Sequence, residues 1–93
     1  MSKVTVIGAG SWGSALTRIL GDNNNEVLLY DRDEKTVDEI NNFHTNINKL
    51  PVGKLPETVK ATTDVKKAID FSDIIVISVP TKVLRTVLEQ IAH

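Results

Sequence analysis

Three glycines at positions 8, 10 and 13, inside the stretch "VTVIGAGSWGSAL", have the spacing G-x-G-x-x-G. An apolar β-branched run precedes them and a helix-like pattern follows, the setting in which this spacing serves a phosphate-bearing ligand. Each glycine has its own task there. Gly8 permits a tight turn off a strand, Gly10 lets a pyrophosphate approach the backbone, and Gly13 lets helix and strand pack closely. The anion then meets the helix N-terminus, where N–H groups without intrahelical partners and the positive end of the helix dipole receive it. Eighteen residues after Gly13, at the end of the next apolar run, stands Asp31, placed to accept hydrogen bonds from ribose hydroxyls. The alternative is a turn that uses glycine only for its own geometry, and both the flanking pattern and Asp31 weigh against it. The chemistry expected is the binding of a dinucleotide.

The residues beside Asp31 leave the choice of dinucleotide open. A carboxylate on the ribose repels a 2′-phosphate and favours NAD, whereas the guanidinium of Arg32 would pair with that phosphate or lie against adenine, which suits NADP. Asp33 reads as a surface charge opening a helix. Trp12, the single tryptophan, sits on the turn and is read either as an apolar anchor against the core or as a contact to the ligand. His44 is isolated and His93 is terminal, so no metal-binding spacing and no Ser-His-Asp arrangement emerges. No residue is assigned a catalytic role.

The elements that must position these residues follow from the period of the apolar positions. Val4, Val6 and Ile7 read as a strand buried on both faces. From Ser11 the period changes to that of a helix, with Trp12, Ala15, Leu16, Ile19 and Leu20 as its stripe, stopped by Gly21 and the "DNNN" cluster. A second strand spans 26–30 and a second helix runs to about His44 with Val37, Ile40 and Phe43 inward. Residues 45–58 carry two prolines and a glycine and read as an extended loop. A short strand at 59–62, a helix capped by Asp64, a strand at 74–79 and a helix over 81–92 complete the chain. Such alternation is solved by right-handed crossovers. The fold class expected is α/β, a Rossmann-like doubly wound parallel sheet, incomplete at about four strands in the order 3-2-1-4.

The chain has 93 residues, 41% of them hydrophobic, enough for one modest core. A net charge of −1 without any basic run offers no attraction to nucleic acid or an anionic membrane. The absence of cysteine suits a reducing compartment, and the first apolar run is too short for a signal core or a membrane span. A cytoplasmic location is expected.

Taken as a set, "VTVIGAGSWGSAL", "HTNINKLPVGKLPETVKATTDVKKAI" and "SDIIVISVPTKVLRTVL" resemble the N-terminal domain of NAD(P)-dependent glycerol-3-phosphate dehydrogenase, over essentially the whole chain. G-A-G-S-W-G combined with H-x-N-x-x-x-L-P and the late V-P-T makes the resemblance specific. It implies reversible hydride transfer between a nicotinamide cofactor, NAD or NADP, and glycerol 3-phosphate or dihydroxyacetone phosphate, which supplies the backbone of phospholipids. It also implies that Ser11, Trp12 and Arg32 contact the cofactor and that Val79, Pro80 and the residues up to Val83 line the same cleft. Lys49 departs from the family pattern, which often has an aromatic residue before Leu-Pro. The family's catalytic lysine and helical substrate domain lie beyond the position of His93. Residues 1–93 are therefore expected to be a cofactor-binding fragment, inactive alone and self-associating into a homo-oligomer through its open sheet edge. The alternative kept is a stand-alone NAD(H)-binding regulatory or redox-sensing module.

Overall fold

The computed structural model describes residues 2–49, 54–79, 85, 86 and 89. Its elements run β1 (Lys3–Ile7), α1 (Ser11–Asp22), β2 (Glu26–Tyr30), α2 (Glu34–Phe43), β3 (Val59–Thr62), α3 (Val65–Phe71) and β4 (Ile75–Ile77). The four strands pair in parallel in the order β3-β2-β1-β4, so the expected order and class hold. The expected helix at 81–92 lies for the most part outside the described residues.

Because side chains alternate across a strand, the two central strands feed two cores. Val4, Val6, Val27 and Leu29 join Val37 and Ile40 of α2 on one face. Ile7, Leu28 and Tyr30 join Val65 and Ala68 of α3 on the other. Thr5 is fully buried on the α3 face because its hydroxyl donates to the Ala68 carbonyl at 2.6 Å, which satisfies a group otherwise costly to bury.

Helix α1 corrects the expected stripe. Its buried residues are Gly13, Ser14, Thr17 and Gly21, while Trp12 is 75% and Ile19 58% exposed. Small residues let the helix axis lie close to the sheet, and a Cβ on Gly21 would press on Pro56 and Val59. The larger apolar residues are thereby turned to the flanks, with only Leu20 reaching the core. Gly21 lies inside the helix. What ends it is the asparagine run: Asn23 and Asn25 donate side-chain N–H groups to the carbonyls of Ile19 and Leu20, and Asn24 takes a positive φ of 65°.

Two further expectations are revised. Phe43 is 66% exposed, because α2 closes there and His44 turns left-handed at φ 55°. The strand expected over 74–79 is restricted to Ile75–Ile77 and is the least buried of the four: among the described residues it pairs only with β1, whereas β3, at the opposite edge, is covered by α2.

Candidate functional site

The turn between β1 and α1 is held from three directions by groups distant in sequence. The Gly8 N–H donates to the carbonyl of Tyr30 at 2.7 Å, and the Ala9 N–H to Asp31 Oδ1 at 3.3 Å, both at the end of β2. From the end of β4, the Ser78 hydroxyl lies 2.9 Å from the Gly8 carbonyl oxygen. From the segment after α2, Asn46 Nδ2 donates to the Ala9 carbonyl at 2.9 Å and to Ser14 Oγ at 3.0 Å.

This crowding explains two of the three glycines. Gly8 has φ +107°, and a Cβ on it would run into Val79 Cγ1. At Gly13 a Cβ would strike the Gly8 carbonyl oxygen and Ser78 Oγ. Gly10 is different: its φ is an ordinary −72°, and a Cβ there would meet nothing within 4 Å. The packing of the described residues gives no reason for glycine at position 10. The space in front of it is open.

The helix ends reinforce this contrast. Asp33 caps α2 by accepting from Lys35 N, and Asp64 caps α3 by accepting from Lys66 N and Lys67 N. Gly10 is the N-cap of α1 and supplies no side-chain hydrogen bond, and the first turn carries no acidic residue. The N–H groups at this end therefore lack the side-chain cap that the other two helices have.

Of the residues expected to contact a ligand, the fold brings Gly8, Gly10, Gly13, Asp31 and Val79 around this one turn. Ser11 and Trp12 begin α1 and are exposed, so the reading of Trp12 as a core anchor is withdrawn: small residues do the anchoring and leave the indole outside. Asp31 Oδ2 accepts from Asp33 N at 3.1 Å, and both carboxylate oxygens keep a further lone pair for a ribose. Arg32 follows it, exposed. Buried Tyr30 next door has its phenol held above the usual range, chiefly by burial and further by the Asp31 charge, with Arg32 opposing. Pro80 and Val83 lie outside the described residues. Sequence reasoning missed Asn46, Ser14 and Ser78. Only the H-x-N of residues 44–46 offered a signal, and it did not say what the asparagine touches.

Among the described residues no group of three or more His, Cys, Asp or Glu is arranged to hold a metal, and no helix is long and apolar enough to cross a membrane.

A parallel 3-2-1-4 sheet with a glycine turn opening its first helix defines the Rossmann-like class. Residues 3–93 match the model of the NAD-dependent glycerol-3-phosphate dehydrogenase N-terminus. The chain belongs to that family. It is 46% identical over 91 residues to a glycerol-3-phosphate dehydrogenase [NAD(P)+] of an Exiguobacterium species, covering 98% of this chain and 27% of that protein. With the enzyme of the same name from Bacillus subtilis it shares 47% over 90 residues, covering 97% and 26%. The solved Plasmodium falciparum glycerol-3-phosphate dehydrogenase superposes with a TM-score of 0.87 at 34% identity, over 97% of this chain and 28% of that one. The chain thus spans about a quarter of the length of the curated relatives it matches.

Proposed function

We propose that residues 1–93 are the dinucleotide-binding part of an oxidoreductase that interconverts sn-glycerol 3-phosphate and dihydroxyacetone phosphate. The observation that carries this reading is the open space in front of Gly10, at an uncapped helix N-terminus, within a chain of the glycerol-3-phosphate dehydrogenase family.

In this reading the backbone around Gly10, with Ser11 and Trp12, holds the pyrophosphate, and Asp31 accepts from the adenine ribose. Arg32 borders the ribose position where a 2′-phosphate distinguishes NADP from NAD. Val79, at the end of β4, borders the same turn. The cofactor's nicotinamide, when bound, supplies the hydride. What this chain's residues contribute is binding and orientation, the part of catalysis that converts an encounter into an aligned complex. No side chain of the chain is assigned to proton transfer or to the substrate, so the 93 residues alone are expected to bind weakly and turn over nothing.

The cytoplasm is the compartment we assign. A homo-oligomer formed through the β4 edge is supported by the exposure of Ile74, Ile75 and Ile77. Sedimentation at millimolar concentration tests that: a dimer or larger species is expected, and a strict monomer refutes it. A stand-alone redox-sensing module is disfavoured by membership of a dehydrogenase family. The reading as a whole is tested by titrating NADH and NADPH against the chain. Saturable binding of at least one is expected, and binding of neither would overturn it.

A further inference from the structure

We propose that Asn46 is a positioning residue for the dinucleotide turn, so that the segment 44–47 after α2 sets the direction in which the Gly10 N–H is presented. The inference rests on the reading of that turn as the pyrophosphate site.

The Ala9 peptides lie between two glycines, Gly8 and Gly10, the residues whose backbone has the widest freedom. They must be held from outside. The Gly8–Ala9 peptide is held at both ends, its carbonyl by Ser78 Oγ at 2.9 Å and its N–H by Asp31 Oδ1 at 3.3 Å. The Ala9–Gly10 peptide is held at its carbonyl, by Asn46 Nδ2 at 2.9 Å and by Ser14 Oγ at 3.2 Å. A trans peptide is planar, with its C=O and N–H pointing in opposite directions. Fixing the Ala9 carbonyl toward Asn46 therefore fixes the Gly10 N–H away from it.

Asn46 is well made for this. It is 3% exposed, and the two hydrogens of its amide nitrogen serve the Ala9 carbonyl and Ser14 Oγ, whose own hydrogen goes to the same carbonyl. The carbonyl can only accept, so the amide orientation is not arbitrary. Asn46 is itself gripped from both sides. Glu39 Oε2 accepts from Thr45 Oγ1 at 2.7 Å and from Ile47 N at 2.9 Å, while the Leu55 N–H donates to the His44 carbonyl at 2.6 Å. Through this chain of contacts, the loop after α2 governs a turn 37 residues earlier.

The test compares the wild-type chain with Asn46→Asp, which keeps the shape but puts an acceptor against the Ala9 carbonyl. Glu39→Ala leaves Asn46 in place and removes its grip, and Gly10→Val blocks the turn. NADH dissociation constants and the Gly10 backbone amide resonance of the ligand-free chain are read together. Expected are a loss of NADH affinity of about tenfold or more in Asn46→Asp, a smaller loss in Glu39→Ala, and in both a shifted or broadened Gly10 amide while β2 and β3 resonances stay in place. A purely structural role would not single out Gly10. Wild-type affinity in a folded Asn46→Asp chain overturns the proposal; should that variant not fold, wild-type affinity with an unmoved Gly10 resonance in Glu39→Ala overturns it. If Gly10→Val also binds NADH as wild type does, the reading of the turn itself falls, and the inference falls with it.

Discussion

The Ser78 hydroxyl lies 2.9 Å from the carbonyl oxygen of Gly8, across 70 residues of sequence, and 3.0 Å from that of Ile7. One hydrogen is shared between two carbonyls at the point where β1 becomes the turn. Removing it in Ser78→Ala takes this donor from the part-buried Gly8 carbonyl, while the Ile7 carbonyl keeps the Ser78 backbone N–H at 2.9 Å, and a loss of about 1 kcal/mol is expected. The midpoint of urea unfolding measures it, and an unchanged midpoint would show that water serves as well.

The glycines of the turn are expected to separate in stability. Gly13→Ala drives a Cβ into the Gly8 carbonyl oxygen, which Ser78 Oγ holds in place at the end of β1, so a loss of about 2–4 kcal/mol follows. Gly10→Ala meets nothing and keeps an allowed φ, so it stays within about 1 kcal/mol of wild type, the remaining cost being a poorer N-cap. Thermal unfolding of the two variants checks the order, and equal losses would contradict it.

For Asp31→Ala, NADH binding weakens by about 1–3 kcal/mol, the scale of a lost charge-assisted hydrogen bond. Part of that loss comes through the Ala9 N–H, which Asp31 also holds, and is common to both cofactors. NADPH should suffer less, because the variant also removes a negative charge near the 2′-phosphate position. Equal losses in parallel titrations would reduce Asp31 to a brace for the turn and leave cofactor choice to Arg32.

The alternation of strands and helices, the strand order and the glycine motif were legible because each leaves a local mark: a change of period, or a residue type that few other settings demand. The docking face of α1 was not. Apolar periodicity pointed to Trp12 and Ile19, but the sheet accepts this helix through Gly13, Ser14, Thr17 and Gly21, chosen for smallness rather than hydrophobicity. Asn46 and Ser78 were illegible for another reason. Their partners lie 37 and 70 residues away, and a short polar residue in a loop or at a strand end looks the same whether it faces water or a buried carbonyl.

Tyr30 gives the fold a dependence on alkaline pH. Its phenol is held above 10.0, mainly by burial, so the folded chain keeps a proton that the unfolded chain releases first. Its contribution is whole below the unfolded value and declines as pH rises through the higher folded one. Tyr30→Phe should flatten that decline in urea midpoints measured across pH 9 to 11, and an identical slope would assign it to other groups.

Whether a dinucleotide lies on the turn in front of Gly10 is read from the fluorescence of Trp12. The chain has one tryptophan, at the second residue of α1 and 75% exposed, so the signal reports from the site alone. NADH titrated into the wild-type chain should quench it saturably, and the quenching should disappear in a folded Gly10→Val chain. Quenching that persists unchanged in Gly10→Val, or none in the wild type, would show that no dinucleotide lies there.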